Sequence, residues 1–199
     1  MVTQHLRSRE GRKLHRILFY DCPPICKKAH WPVSNRAIDF SKTEEAQFRL
    51  AFHDELRKLR KVALRLGHLS DESRWVIKPE KLKALLKREL TFEALADDDF
   101  SYEARQKGVD MMIGIDIASL AYKKQVDQII LVAGDADFVP AAKLARREGI
   151  DFVLDPMWSS IHPKLNEHID GLRSTCPNPS RERFERRPPL EEDTDAFVE

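Results

Sequence analysis

The segment IILVAGDADFVPAAKLARREG, residues 129–149, constrains the fold of this chain more than any other. Its apolar run stops abruptly and a helical pattern follows at once, with Pro140 in the first turn and Gly149 just past the end. Similar apolar runs end at Asp21 and at Asp155. Continuous apolar strands that alternate with helices are typical of a parallel sheet covered on both faces. The sequence therefore predicts an α/β fold.

The length of 199 residues suits one domain with peripheral segments. We expect a flexible basic arm at residues 1–13, the α/β domain at residues 14–174, and a disordered tail rich in proline and charge at residues 175–199. Apolar spacing predicts an extended helical segment over about residues 41–66. Residues 22–40 are expected to form a long loop.

Net charge gives no guide to nucleic-acid binding, because 34 Lys and Arg nearly balance 33 Asp and Glu. Any basic surface must therefore be local. No apolar run is long enough to span a bilayer, and the basic N-terminus lacks the apolar core of a signal peptide. We therefore expect a cytoplasmic protein that does not associate with membranes. The acidic stretch at residues 95–106 is expected to be a surface loop.

The three cysteines are expected to be reduced thiols, because an odd count without a secretory signal argues against a disulfide framework. Cys22, Cys26 and His30 recur at every fourth residue, a spacing that could place them on one helical face as zinc ligands. The two prolines at 23 and 24 disfavour a regular helix there, and no fourth ligand is evident.

Aspartates gather where the strands are expected to end. Asp135 and Asp137 follow the most apolar strand, and Asp21 ends the first one. The carboxyl ends of parallel strands lie at one edge of a sheet, where ligands bind. Asp110 and Asp116 belong to the preceding helix and lie about 9 Å apart along its axis, so only a tilted helix would bring both to this edge.

Neighbouring carboxylates raise one another's pKa or require a cation between them. Mg²⁺ and Mn²⁺ prefer oxygen ligands. Such an ion can produce hydroxide from bound water near neutral pH and can stabilise charge on a phosphoryl group. An acidic cluster at the strand ends of an α/β sheet therefore suits phosphodiester cleavage.

Each aspartate also has a purely structural explanation. Asp137 and Asp110 could cap helices, and Asp135 could be a turn residue. Asp116 is the harder one to explain in this way, because it lies in the middle of a helix among apolar residues, where a carboxylate is normally avoided.

The segment KGVDMMIGIDIASLAYKKQVDQIILVAGDADFVPAAKLARREGI, residues 107–150, resembles the NYN domain, specifically its bacterial LabA-like (DUF88) branch. That branch commonly shows Lys-Gly-Val-Asp, an aspartate six residues on, and Ser-Gly-Asp-x-Asp-Phe before a helix that contains proline. Ala133 stands here in the place of the serine. The segment ILFYD, which ends at Asp21, is similar to the family's first strand and first acidic residue.

This resemblance implies a PIN-like three-layer fold with a central, mainly parallel sheet flanked by helices. It also implies ribonuclease activity at a divalent-metal site. By carry-over, the catalytic residues would be Asp21, Asp116, Asp135 and Asp137, and these together with Asp110 would hold Mg²⁺ or Mn²⁺. The family often has Asp-Gly-x-Asn-Leu after the first strand, whereas this chain has Asp-Cys-Pro-Pro-Ile. The difference bears on substrate choice and on activity.

A ribonuclease also needs cations for the phosphate backbone and flat side chains for bases. The loop after the first strand and the residue that opens the Lys-Gly-Val-Asp motif offer such groups: Lys27, Lys28, Trp31, Arg36 and Lys107. We expect them to bind RNA, either single-stranded or structured. Protein partners or a homo-oligomer are compatible with the sequence.

Three functions follow from these residues. The first is a metal-dependent endoribonuclease. The second is a catalytically weak or inactive NYN module that binds RNA or metal and regulates through partner proteins, which the altered loop after Asp21 favours. The third is a phosphatase of the haloacid-dehalogenase type, which also uses an Asp-x-Asp pair. In that class the pair follows the first strand, whereas here it follows a late one.

Overall fold

The computed structural model describes residues 2–7, 11–70 and 72–178. Within them the chain forms six α-helices: α1 (Val2–Arg7), α2 (Glu44–Lys58), α3 (Pro79–Leu86), α4 (Val109–Tyr122), α5 (Val139–Arg147) and α6 (Pro163–Asn166). The strands are β1 (Ile17–Asp21), β2 (Lys28–His30), β3 (Ala37–Asp39), β4 (Val62–Leu66), β5 (His68–Leu69), β6 (Arg74–Ile77), β7 (Phe100–Glu103), β8 (Gln106–Lys107), β9 (Gln128–Leu131), β10 (Asp151–Leu154) and β11 (Gly171–Leu172). They divide between two compact units, one of residues 14–116 and one of residues 1–13 with 117–199.

The first unit is built on a parallel pair of strands, β1 and β4, joined by helix α2. Ile17 pairs with Val62, and Asp21 at the end of β1 pairs with Leu66. Thr43 caps α2 by accepting a hydrogen bond from the backbone N–H of Ala46. Because β4 lies beside β1 over its whole length, the carboxylate of Asp21 lies at the end of a hydrogen-bonded strand pair.

The expected helical segment over residues 41–66 is wrong over its last eight residues, 59–66. Helix α2 ends at Lys58, Lys61 adopts a positive φ of 63°, and residues 62–66 form β4. The apolar residues of Val-Ala-Leu-Arg-Leu satisfy helical and strand patterns equally well. Pairing with β1 decides in favour of the strand.

Three antiparallel pairs complete the first unit: β2 with β3, β5 with β8, and β6 with β7. The expected loop at residues 22–40 therefore contains a short hairpin, β2–β3, whose connection includes Asn35 at a positive φ of 55°. Asparagine tolerates this left-handed conformation better than most residues. The acidic stretch expected as a loop at residues 95–106 contains strand β7, which runs beside β6.

The second unit holds a three-stranded parallel sheet in the order β11–β10–β9. Helix α5 connects β9 to β10, with Pro140 in its first turn and Gly149 at a φ of 81° beyond its end. The predicted strand–helix–strand pattern is thus confirmed in this segment. Its core contains Phe152, Leu154 and Leu165, which are fully buried.

The expected α/β character is present, but one central sheet is not. The parallel strands of the described residues form two separate sheets, one of two strands and one of three, and the remaining pairs are antiparallel.

The expected flexible arm at residues 1–13 contains helix α1. In the second unit, His5 of this helix is buried and its Nε2 lies 2.9 Å from Oδ2 of the fully buried Asp155. Residues 179–199 of the expected disordered tail lie outside the described residues. In the described part of the chain, no helix combines the length and the apolar character that crossing a membrane requires.

Candidate functional site

The carboxylate of Asp21, at the end of β1, is held by two basic residues of α2. Arg49 donates a hydrogen bond from Nη2 to Oδ1, and Nε2 of the buried His53 lies 2.9 Å from Oδ2. The backbone N–H of Cys22 donates to Oδ1 at 2.8 Å. Burial alone would raise the pKa of Asp21, but the hydrogen bonds from His53 and Cys22 and the charge of Arg49 lower it below its usual value. Both oxygens therefore carry charge and already have partners.

The carboxylate of Asp116, in α4, has different partners. Tyr20 donates from its hydroxyl to Oδ2 at 2.9 Å, and Arg65 donates from Nε to the same oxygen at 3.1 Å. Tyr20 and Arg65 are paired across β1 and β4. Burial, followed by the neighbouring Asp116 carboxylate, raises the pKa of Tyr20, so its hydroxyl stays protonated and remains a donor.

Asp21 and Asp116 therefore contact opposite faces of the β1–β4 pair. Successive side chains of a strand point to opposite faces, so Tyr20 and Asp21 diverge. Phe19 shares the face of Asp21 and packs against Phe52 of α2, with ring centroids 5.5 Å apart. The structure thus gives each of these two predicted acids its own cationic partner within the first unit.

The remaining predicted acid of the first unit, Asp110, lies in the first turn of α4 and is exposed. Gly108 precedes it at a φ of 86°, a conformation that favours glycine. The carbonyl of Lys107 closely approaches Gly67, where an added Cβ would lie only 2.6 Å from that oxygen. The Lys-Gly-Val-Asp motif is therefore fixed in place by two glycines.

Asp135 and Asp137 lie in the second unit, between β9 and α5. Asp135 caps the short 3-10 turn Ala136–Phe138 and accepts a hydrogen bond from the backbone N–H of Asp137 at 3.2 Å. Both side chains are exposed. Within the described ranges, neither forms an ion pair with Lys, Arg or His, in contrast to Asp21 and Asp116. The cap role expected for Asp137 is wrong, because Phe138 is the N-cap residue of α5 and Asp135 caps the preceding 3-10 turn.

The donor set suits a hard cation in its chemistry, since it consists of carboxylates. In the geometry of residues 2–7, 11–70 and 72–178, however, no three His, Cys, Asp or Glu side chains lie close enough to hold a metal ion. In addition, the carboxylate oxygens of Asp21 contact Arg49 and His53, and those of Asp116 accept hydrogen bonds from Arg65. These two residues do not fit a metal in the conformation observed, and a shared site of all five aspartates stays a prediction.

Two of the predicted RNA-binding residues, Lys28 and Lys107, lie in strands, and the other three lie beside the β2–β3 hairpin strands. Lys28 opens β2, Trp31 follows it, and Arg36 precedes β3, so these three lie on one hairpin. Lys27 precedes the hairpin and donates to the hydroxyl of Ser73 at 3.1 Å. Lys107 lies in β8 and is exposed.

Sequence reasoning missed the basic partners of the acids. Arg49 and His53 are four residues apart on α2, the spacing of neighbours on a helix face. Basic residues at this spacing on an amphipathic helix normally face solvent. Their role becomes evident only from the structure, in which the end of β1 lies beside them. Arg65 and Tyr20 carry no sequence signal that distinguishes them from other basic and aromatic residues of the chain.

The cysteines are free thiols in the described residues, with Cys22 buried and Cys26 exposed. The sulfur of Cys22 lies 3.7 Å from the carbonyl oxygen of His68. Burial raises the pKa of Cys22, which keeps this thiol neutral. The open alternative of a zinc site at Cys22, Cys26 and His30 gains no support from this arrangement.

Comparison with known families gives one match. The family model described as the NYN domain matches residues 51–162, which is more than half of the chain. The matched range contains Lys107, Asp110, Asp116, Asp135 and Asp137, whereas Asp21 and the β2–β3 hairpin precede it. No curated protein and no solved structure is significantly similar to the chain.

Proposed function

The chain belongs to the NYN domain family, and from this premise we propose that it is a metal-dependent endoribonuclease that hydrolyses phosphodiester bonds of RNA. The family is part of the PIN-like nuclease superfamily. The observation that carries the proposal is the position of the match, which includes four of the five candidate acids. Three of these, Asp110, Asp135 and Asp137, are exposed and have no cationic partner among the described residues.

In this proposal, Asp21, Asp116, Asp135 and Asp137 are the catalytic acids and Asp110 accompanies them. Mg²⁺ or Mn²⁺, when bound, supplies an activated water and positive charge for the scissile phosphate. The exposed acids are free to attract such a cation. Asp21 and Asp116 are paired with Arg49 and Arg65 on opposite faces of the β1–β4 pair, so their part in the metal site requires both the loss of these ion pairs and a change of conformation.

A second candidate is supported by the same ion pairs. Asp21 and Asp116 are each satisfied by a guanidinium, which stabilises the chain without a metal ion. A chain with this arrangement could be an NYN module that binds RNA without cleaving it and acts through other proteins. The proline-rich sequence after Asp21 agrees with this alternative.

Cleavage of labelled RNA in Mn²⁺ or Mg²⁺, with EDTA as the blank, tests the first proposal. Asp137→Asn and Asp135→Asn are the informative variants, because both sites are exposed and asparagine preserves the cap at position 135. Asp54→Asn is the matched control, since Asp54 is 65% exposed on α2 and, among the described residues, forms an ion pair only with Arg57 of the same helix.

We expect cleavage to fall by about 100-fold or more in the two site variants, in line with the loss of an essential group, and to be unchanged in Asp54→Asn. Thermal unfolding should be similar in all three. Full activity in Asp135→Asn and Asp137→Asn would refute the assigned roles. RNA binding without metal-dependent turnover would support the non-catalytic module instead.

A further inference from the structure

Four aromatic rings of the first unit form one cluster that joins the β2–β3 hairpin to strands β6 and β7. Trp31 and Trp75 lie with ring centroids 4.6 Å apart and planes inclined by 32°. Trp75 meets Tyr102 edge-on at 5.0 Å, and Tyr102 lies 4.6 Å from Phe40. None of the four is fully buried. We name Trp31, Phe40, Trp75 and Tyr102 the aromatic cluster.

Hydrogen bonds to backbone carbonyls hold the indole of Trp75 and the hairpin segment that carries Trp31. The indole N–H of Trp75 donates to the carbonyl of His30 at 2.8 Å. The backbone N–H of Trp31 donates to the carbonyl of Arg36 at 2.9 Å. The first bond satisfies the only polar side-chain group of Trp75, and the second closes the hairpin that carries Trp31, whose ring packs against that of Trp75. Ordering this pair of rings would therefore cost little on binding a ligand.

The hairpin side of the cluster carries more positive than negative charge, and the one acid that contacts it from outside the hairpin segment is, among the described residues, Asp97, which accepts hydrogen bonds from the backbone N–H groups of Val33 and Ser34. Residues 26–42 contain four Lys or Arg (Lys27, Lys28, Arg36 and Lys42) against one acid, Asp39, which gives a local net charge of 4 − 1 = +3 in a chain of net charge +1. Lys27, Lys28 and Arg36 are exposed. The acid is partly engaged, since Asp39 accepts hydrogen bonds from the backbone and hydroxyl of Ser41.

Flat rings beside several cations match the chemistry of one ligand class. Unpaired bases stack on aromatic side chains, while Lys and Arg bind the phosphates between them. A duplex conceals the faces of its bases and cannot use such rings. An acidic peptide would use the cations but has no need of paired indoles.

We propose that the aromatic cluster, with Lys27, Lys28 and Arg36, binds single-stranded RNA and stacks a base on the Trp31–Trp75 pair. This inference rests on RNA as the substrate in the proposed function, and it narrows that substrate to the unpaired form. The hairpin precedes residue 51, where the family match begins. The surface therefore combines a hairpin outside the matched segment with Trp75 and Tyr102 inside it.

Tryptophan fluorescence in EDTA tests binding separately from cleavage. The chain has three tryptophans, and Trp158→Phe removes the one in the second unit, so the remaining signal reports on Trp31 and Trp75. A single-stranded oligouridine of about ten nucleotides, the scale of one such site, should quench this signal. A duplex RNA of equal length should quench it far less.

Trp31→Ala in this background should weaken oligouridine binding about tenfold, as expected for the loss of one stacked base, whereas Trp31→Phe should stay within a few-fold. Circular dichroism would verify that each variant is folded. If Trp31→Ala does not fold, the double variant Lys28→Gln, Arg36→Gln decides. It should reduce the slope of log affinity against log salt by about 1.4 for two lost phosphate contacts on a single strand.

Equal affinity for duplex and single strand, or unchanged affinity and salt slope in these variants, would overturn the inference. Quenching by a polyglutamate peptide but not by oligouridine would also overturn it and would indicate a protein partner. Binding that depends on Trp31 without any RNA cleavage would refute the proposed hydrolysis and leave the surface standing. RNA cleavage with a KM unaffected by Trp31→Ala would refute the binding surface and leave the proposed hydrolysis standing.

Discussion

Arg49 in helix α2 donates a hydrogen bond to the carboxylate of Asp21 at the end of β1, and His53 one turn later contacts the other oxygen of the same group. The residue expected to be the first metal ligand is thus neutralised by the helix that follows it. A guanidinium in this position competes with any divalent cation for the same oxygens. Occupancy by metal and pairing with Arg49 are alternatives at Asp21.

We therefore expect Arg49→Gln to lower stability in EDTA, by about 1 to 3 kcal/mol, because a partly buried carboxylate loses a charged partner. The same variant should gain more thermal stability from Mn²⁺ than the native chain does, since the cation can replace the lost charge. Differential scanning fluorimetry with and without Mn²⁺ measures both effects. Arg57→Gln, on the same helix but paired with the exposed Asp54, should show neither. An equal Mn²⁺ response in Arg49→Gln and the native chain would show that Asp21 does not bind metal.

The hydrogen bond from Tyr20 to Asp116 should be measurable as a coupling. Tyr20→Phe removes the hydroxyl and leaves the ring, so its cost should be about 1 kcal/mol. Asp116→Asn keeps a weaker acceptor at this position. The double variant should lose less unfolding free energy than the sum of the losses in the two single variants. Urea unfolding of the two single variants and the double variant gives the coupling energy. A coupling of zero would mean that Arg65 alone holds Asp116.

Gly67 should not tolerate a side chain. An added Cβ would lie 2.6 Å from the carbonyl oxygen of Lys107 and 2.9 Å from the sulfur of Cys22. We expect Gly67→Ala to cost about 1 to 3 kcal/mol through overpacking. Gly114→Ala is the matched control. Nothing lies within 4 Å of the Cβ position at Gly114, in the middle of α4, and the helix should gain about 0.5 to 1 kcal/mol there. Chemical denaturation of the two variants tests the contrast, and equal effects would contradict it.

The pair of His5 and Asp155 should make stability depend on acid pH. Burial alone would raise the pKa of Asp155, but hydrogen bonds from the N–H of Met157, from His5 and from Thr175 lower it below 3.8. A carboxyl whose pKa is lower in the folded state stabilises the fold above the unfolded pKa, and this stability is lost as pH falls through the folded pKa. Asp155→Asn should therefore cost about 2 to 4 kcal/mol near neutral pH and less near pH 3.

Urea unfolding of Asp155→Asn at neutral and acid pH would measure that difference. Asp127→Asn, at an exposed residue of the same unit, should follow the native chain at both values. A cost for Asp155→Asn that does not change with pH would show that the charge of Asp155 contributes nothing to the docking of α1.

The elements with strong local signals could be predicted from sequence. Helix α5 has Pro140 in its first turn and Gly149 beyond its end, and the strands on either side of it are apolar runs. The break between α2 and β4 could not be predicted in this way. Lys61 adopts a left-handed conformation there, and a glycine at this position would have indicated such a turn, whereas a lysine does not. The choice between helix and strand for residues 62–66 is made by β1, forty-odd positions earlier in the chain.

The candidate site was predictable in its residue types and not in its contacts. Spacing and charge pointed to the five aspartates, because acids after apolar strands stand out in a sequence. The partners of Asp21 and Asp116 come from a helix face and from the neighbouring strand, whose register fixes which basic residue is opposite. Nothing in a single sequence encodes that register. The aromatic cluster was missed for the same reason, since Trp31 and Trp75 meet only through the pairing of distant strands.

The parallel pairing of β1 with β4 has a practical consequence for the design of a fragment limited to the segment that matches the NYN family model. The likeness to the family starts at residue 51, in the middle of α2, so a fragment trimmed to those limits would begin with half a helix and would discard β1. Strand β4 would then present its bare hydrogen-bonding groups to solvent and invite aggregation. A fragment for expression must start before Ile17, because the segment that matches the family model is shorter than the segment that must fold together.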